Sequence, residues 1–398
     1  MVSRAEAIPA RVHPAASTAV HATRRAVAAL LVAAGALVMY GIAWDATWHS
    51  SVGRDQGFLS PPHALMYGSA AAGGLVCIAA VLIETTRYHR RSGVDDGNSV
   101  RLFRLFHAPI GLLVAGFGIL VIVVAGPLDN YWHSLYGIFI DAWNPFHLMG
   151  EFGGAIWGLG NLYLWAALLL RARRRQARDA IEWWGFLAAA AVMMRLMMLL
   201  ASPALHVVQT LPLGSLRIMT YPVVLSLSTI WLLTAVGAMG RRWTGPIVVA
   251  LLLGFHLIVQ LTVPGIVRAQ AAAEGRTFFH PTLIPTFSLD RLAPDVGLLI
   301  GTVLLAVLSR RSGAPARSSG AAVSAALMAS GGFWLIGLVT TVLAQQVLTR
   351  LVLPPALPMT PLATWRDGLA ALPLTVAAAG MSGWMGRGIG RVLARNPR

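Results

Sequence analysis

The segment "WDATWHSSVGRDQGFLSPPH", from Trp44 to His63, decides the fold because a second version of it follows later in the chain. That version is "LDNYWHSLYGIFIDAWNPFH", from Leu128 to His147, and the two segments align without a gap. The identical pairs are Asp45/Asp129, Trp48/Trp132, His49/His133, Ser50/Ser134, Gly53/Gly137, Pro61/Pro145 and His63/His147. Chance would give about one identity over such a length, so the segments indicate an internal repeat.

The sequence around this repeat has the composition of a multi-pass membrane protein. Of 398 residues, 57% are hydrophobic and only 12% are charged, which is unusual for a soluble domain. A membrane-spanning helix needs about 20 mainly apolar residues. The predicted spans, about ten in number, are 26–48, 62–84, 106–128, 146–170, 182–204, 215–239, 244–264, 294–310, 321–348 and 367–386.

The arginine residues predict the orientation of these spans. The net charge is +16 and the sequence contains no lysine. Arginine clusters fall after the even-numbered spans, as in "RARRRQAR" from Arg171 to Arg178, and again at the carboxyl end. The positive-inside rule places such segments in the cytoplasm. We therefore expect a bacterial inner (plasma) membrane protein with cytoplasmic termini, in which the positive charge serves membrane topology and binds no nucleic acid.

The predicted fold class is all-α, with a tandem parallel repeat of two helical hairpins in the N-terminal half. Each hairpin has an outward helix that ends in Asp-x2-Trp-His, a short loop, and a returning helix that begins with proline. Because each unit has two spans, both copies have the same orientation. The predicted organisation is a cytoplasmic tail at 1–25, the duplicated hairpins at 26–170, and a six-span domain at 180–398 with a long outer loop at 265–293.

The chemistry of the repeat lies in one aspartate and two histidines per copy. An aspartate and a histidine four positions apart share one helix face, and the returning helix brings the second histidine to the same depth. Two imidazoles and a carboxylate are ligands of copper, zinc and non-haem iron. The predicted metal ligands are Asp45, His49 and His63 in the first copy, and Asp129, His133 and His147 in the second.

Glu151 lies one turn beyond His147, on the same face of the predicted helix. Its counterpart in the first copy is Tyr67, so we favour the second copy as the functional site. A carboxylate at this depth is suited to proton transfer, and Glu151 is the predicted catalytic residue. Arg195, near the middle of the fifth span, needs a partner or a cavity, for which Glu151 is one candidate.

The aspartate–histidine–histidine pattern at the end of a span resembles the copper-ligand pattern in the C subunit of particulate methane and ammonia monooxygenases. The resemblance covers the two quoted segments. In that family the pattern binds a copper ion within the membrane part of a multi-subunit copper monooxygenase. The resemblance therefore implies copper as a cofactor and other membrane subunits as partners.

Three interpretations of the triads remain open at this level. They are metal ligands, they conduct protons or cations through the membrane, or they form hydrogen bonds at the membrane surface. The corresponding functions are a metal-dependent membrane oxidoreductase with copper foremost and zinc or iron as alternatives, a metal or proton transporter, and a structural or assembly subunit of a membrane complex. In the transporter, Arg195, His256 and Gln260 would mark the path.

Overall fold

The computed structural model describes residues 14–53, 59–90, 98–137, 143–239, 242–281, 284–311 and 361–395, together with the helical positions 335 and 339. Its helices are α1 Pro14–Ser51, α2 Pro61–His89, α3 Ile110–Tyr136, α4 Pro145–Arg174, α5 Ala180–His206, α6 Tyr221–Gly237, α7 Thr244–Ala273, α8 Ala293–Arg311 and α9 Trp365–Ala394. Its strands are β1 Ser99–Leu102, β2 Phe106–Pro109, β3 Thr210–Leu213 and β4 Leu216–Met219.

Seven of these helices, α1 to α5, α7 and α9, are long and apolar enough to cross a bilayer. This confirms a helical membrane protein whose environment is lipid. The predicted spans 215–239 and 294–310 correspond to helices outside these seven, namely α6 with 17 residues and α8 at Ala293–Arg311. The predicted span 321–348 lies outside the described residues, apart from positions 335 and 339, so ten spans remain a prediction.

The first four helices form a ring in which each packs against the next and α4 returns to α1, while α5 lies against both α1 and α4. The α3 and α4 backbones touch because glycines face each other. A Cβ atom added to Gly118 would lie 2.4 Å from the Gly153 carbonyl oxygen, and one added to Gly160 would lie 2.6 Å from the Gly111 carbonyl oxygen. Such small residues allow the close helix packing that membrane interiors favour.

Ion pairs join the helices at the end opposite the triads. Helix α1 begins at Pro14, so Arg24 and Arg25 belong to this helix and not to the predicted tail at 1–25, whose first 13 residues lie outside the described part. Arg24 forms two 2.9 Å hydrogen bonds with the buried Glu84 of α2, and Arg25 pairs with Glu182 of α5. These arginines fix helix positions, because a buried charge requires a partner.

Two short β-hairpins, which the sequence analysis did not predict, accompany the helices. Strands β3 and β4 pair through a two-residue turn at Gly214 and Ser215, and Gly214 has a φ of +61°. A glycine followed by serine at such a turn is a recognised hairpin signal. Strands β1 and β2 pair across 103–105, so residues 106–109 of the third predicted span are extended and α3 begins only at Ile110.

The long outer loop predicted at 265–293 is also shorter than expected. Helix α7 continues to Ala273, and a 3-10 turn at Asp290–Leu292 leads into α8 at Ala293. The chain between them contacts the first repeat copy, because the Phe279 amide donates to the Ser51 carbonyl oxygen. Part of this segment therefore packs beside the first triad.

Candidate metal centres

The first triad joins the end of α1 to the start of α2. Asp45 and His49 are one turn apart on α1, and His63 lies in the first turn of α2. The Asp45 Oδ1 atom lies 3.3 Å from His49 Nε2 and 3.2 Å from His63 Nε2. This oxygen is buried. The carboxylate oxygen and the two imidazole nitrogens thus converge within 4.8 Å of one another.

The second triad repeats this arrangement at the junction of α3 and α4. The Asp129 Oδ2 atom lies 3.3 Å from His133 Nε2 and 3.1 Å from His147 Nε2. The two imidazole ring centres are 5.4 Å apart, compared with 6.3 Å in the first triad. The same three residue types therefore meet through the same ring nitrogens in both copies.

The spacing of these atoms fits a transition metal ion. Nitrogen and oxygen ligands lie about 2.1 Å from zinc and similar ions. When the ligand–metal–ligand angle is about 90–110°, two neighbouring ligand atoms are therefore about 3.0–3.4 Å apart. The four aspartate–histidine separations, 3.1–3.3 Å, fall in this range. Within each triad all three ligand atoms lie within 4.8 Å of one another. Either triad can therefore close around one ion with small side-chain movements.

The repeated glycines explain the orientation of one histidine in each triad. Nδ1 of His49 lies 3.0 Å from the Gly53 carbonyl oxygen, and Nδ1 of His133 lies 2.9 Å from that of Gly137. Since a carbonyl only accepts, each Nδ1 carries a proton, and in the neutral ring Nε2 keeps its lone pair. The glycines have φ values of +109° and +82°, which side-chain-bearing residues rarely adopt. Metal-binding histidines commonly have such a second hydrogen bond.

No protein-family model matches the chain, and neither a curated relative nor a solved structure was found for it.

Asn144 supports the carboxylate of the second triad and has no equivalent asparagine in the first copy. Asn144 caps α4 by accepting hydrogen bonds from the backbone amides of Phe146 and His147. Its Nδ2 also donates to Asp129 Oδ1 at 3.2 Å, so the oxygen that faces away from the histidines is held in place. The first copy has Ser60 at this position. Asn144 was not among the predicted site residues, although an asparagine before a helix-starting proline is a recognised helix-capping signal.

Both triads open into one cavity of about 360 Å³, which is lined by residues of all five helices from α1 to α5. The predicted catalytic residue Glu151 is buried and lines it. Tyr67, the counterpart of Glu151, also lines it and lies within electrostatic range of both Asp45 and Asp129. Tyr67 packs against Gly126, where an added Cβ atom would lie 2.5 Å from the ring. The two triads are separate ligand groups that face one space.

The cavity continues away from the triads as an apolar chamber. Its wall beyond Glu151 includes Val38, Ile122, Trp157 and Met193. The polar side chain at its far end is Asn161, which lies about 20 Å from His147 along α4. The chamber is therefore polar where the triads lie and apolar along most of its depth.

A second polar cluster lies outside this cavity. Asp295 of α8 acts electrostatically on Arg195, whereas Glu151, the partner considered from the sequence, lines the cavity beside the second triad. Asp295 is buried and accepts a 2.6 Å hydrogen bond from Nδ1 of His256 on α7, and Gln260 lies 3.4 Å from Nε2 of the same ring. His256 thus bonds a neighbouring helix. Asp295 lies in the first turn of α8, within the predicted span 294–310, but no local sequence pattern indicated its contact with His256.

Proposed function

We propose that this chain is an integral membrane metalloprotein that binds one transition metal ion in each of its two aspartate–histidine–histidine triads. The observation that carries the proposal is the duplicated geometry, in which one carboxylate oxygen and two imidazole nitrogens converge at ligand distances in both copies. In the first copy, two imidazole nitrogens approach a single buried carboxylate oxygen, Asp45 Oδ1, which is more than one hydrogen bond at the membrane surface requires.

Copper is the first candidate for the ion, and it rests on the resemblance to the C subunit of particulate methane and ammonia monooxygenases. Iron is the second candidate, because two histidines and one carboxylate that leave further positions open are the ligand set of many iron oxygenases. Zinc binds the same residue types. A bound copper or iron ion would supply redox chemistry with dioxygen, so the proposed class is a metal-dependent membrane oxidoreductase.

The chain's own residues have distinct roles in this proposal. His49 and His133 present Nε2 because their Nδ1 atoms donate to the glycine carbonyls. Glu151, buried beside the second triad, accepts and returns protons at its carboxylate. The apolar chamber excludes bulk water and holds a small organic substrate of low polarity. Asn144 fixes the Asp129 carboxylate.

The depth of the cavity favours a second candidate function, a metal or proton transporter with the triads as its entry site. Two observations weigh against this alternative. The wall beyond Glu151 is largely apolar and offers few groups to a moving ion. His256 and Gln260, which were expected on the path, instead bond within the cluster formed with Asp295. We therefore place the oxidoreductase first.

The first test is the metal content of protein purified in detergent after growth with copper, iron and zinc all available. We expect about two ions per chain in the wild type, one for each triad. The variants His49→Ala and His133→Ala should each retain one ion, and the double variant should retain none. His89→Ala removes a histidine outside both triads and should retain two ions. Metal-free wild type, or full content in the double variant, would refute the proposal.

Glu151→Gln tests the catalytic role separately. The amide preserves the shape of the side chain but cannot hold and release a proton, so metal content should stay at two ions. We expect the chemically reduced variant to be reoxidised by dioxygen at least about tenfold more slowly than the wild type, since general acid–base groups contribute about 100-fold or more. An unchanged rate would remove Glu151 from the mechanism without affecting the metal assignment.

A further inference from the structure

A second large concavity lies at the opposite end of the bundle from the triads. It has a volume of about 760 Å³ and runs between α9 on one side and α3 and α4 on the other. Its floor is formed by the first residues of α3, such as Ile110 and Val114, and by Leu159 and Tyr163 of α4. We call this concavity the α9 groove.

Helix α9 is held by one face and forms the α9 groove with another. Gly386 and Gly390 lie against α6, where an added Cβ atom would come within 2.2 Å of the Trp231 carbonyl oxygen and 2.7 Å of Ala238, respectively. The groove face carries Trp384 and Val392, whose side chains are 70% and 48% exposed. Within the described part of the chain, these large apolar groups are exposed.

Two arginines interrupt this apolar lining. Arg387 and Arg391 lie one helical turn apart near the end of α9, and both line the groove. The groove lies beside the start of α3, which follows the β1–β2 hairpin that carries Arg101 and Arg104. The arginine-rich end of the bundle is the side at which the positive-inside rule places the cytoplasmic leaflet, where acidic lipids concentrate.

We propose that the α9 groove binds an anionic phospholipid of the bilayer. The phosphate of the headgroup pairs with the guanidinium groups of Arg387 and Arg391, and an acyl chain lies along Trp384, Leu159 and Val114. An apolar helix of another protein is a poorer occupant, because it offers no negative charge to the two arginines that line the groove. Charge and shape together thus select a lipid with a negative headgroup.

The test is native mass spectrometry of the full chain after reconstitution in vesicles that contain equal amounts of phosphatidylglycerol and phosphatidylcholine with the same acyl chains. We expect the wild type to retain phosphatidylglycerol preferentially during detergent release. Each arginine near a membrane surface contributes about a fivefold preference for an acidic lipid, so two should give a preference of about 25-fold.

Two pairs of matched variants separate charge from shape. Arg387→Gln/Arg391→Gln should abolish the preference, whereas Arg174→Gln/Arg175→Gln removes two exposed arginines at the same end and should leave it intact. Gly388→Leu should fill the groove and remove the bound lipid, since an added Cβ atom at Gly388 meets nothing within 4 Å. Gly380→Leu, which is equally unobstructed on the same helix but outside the groove, should have no effect.

Three results would overturn the proposal. Equal loss of phosphatidylglycerol in both arginine pairs would show general charge attraction. Equal retention of the two lipids would show that the groove is apolar but not selective for anions. A dimer that Gly388→Leu dissociates would assign the groove to a second copy of the chain.

Discussion

Nδ1 of His133 donates to the carbonyl oxygen of Gly137 at 2.9 Å, and the same contact joins His49 to Gly53 at 3.0 Å. In each case the glycine follows the helix that carries the histidine, with a φ of +82° or +109°. The helix end, the turn and the imidazole orientation are therefore one local unit. This unit presents Nε2 to the aspartate before any ion binds.

Gly137→Ala should weaken metal binding at the second triad. The substitution meets no steric obstacle, but the extended, positive-φ backbone of Gly137 costs a side-chain-bearing residue about 1–3 kcal/mol. The turn should relax and the His133 hydrogen bond should be lost, which lowers affinity by about 10–100-fold. Titration with a competing chelator measures this. Gly275→Ala, also at positive φ, is the control; equal loss of affinity in both would contradict the orienting role.

Asn144→Ser should lower metal affinity at the second triad alone. Serine is a good helix cap, so α4 should remain stable, but the donor to Asp129 Oδ1 is removed. We expect a decrease of about 10-fold, the lower end of typical outer-ligand effects, as measured by metal titration of a variant that also carries His49→Ala. Thermal unfolding should change little. An unchanged affinity would show that Asp129 is oriented without Asn144.

The sequence predicted the triads because their geometry is local. Asp129 and His133 share a helix face through the four-residue spacing, and the short connection to α4 brings His147 to the same depth. Neither step depends on how distant helices pack. The duplicated glycine was also visible, although its role needed the observed backbone angle.

Other features depended on distant contacts that no local pattern encodes. Asp295 contacts His256 because α8 packs against α7, and it acts electrostatically on Arg195 of α5; the sequence alone predicted neither interaction. The shared cavity likewise depends on the ring formed by α1 to α4 and on its cover by α5. The β3–β4 hairpin was missed for another reason, since its apolar residues were counted toward a membrane span.

Glu84→Gln should destabilise the bundle at the end opposite the triads. It leaves the buried Arg24 facing a neutral amide in place of the carboxylate that now accepts two 2.9 Å hydrogen bonds. Breaking a buried ion pair from one side costs about 3–5 kcal/mol, so thermal unfolding in detergent should occur at a lower temperature. Arg24→Leu/Glu84→Leu should recover much of the loss. A double variant as unstable as the single one would show that the residues act independently.

His256→Ala distinguishes a packing cluster from a transport path. The substitution leaves Asp295 buried without its 2.6 Å hydrogen bond, and a buried polar group without a partner costs about 1–3 kcal/mol. We therefore expect a lower unfolding temperature, while the triads, which line a separate cavity, should keep two metal ions. Proteoliposomes loaded with a metal-sensitive dye measure flux in the same variant. If the wild type shows flux that His256→Ala abolishes while the protein stays folded, the transporter replaces the oxidoreductase as the leading function.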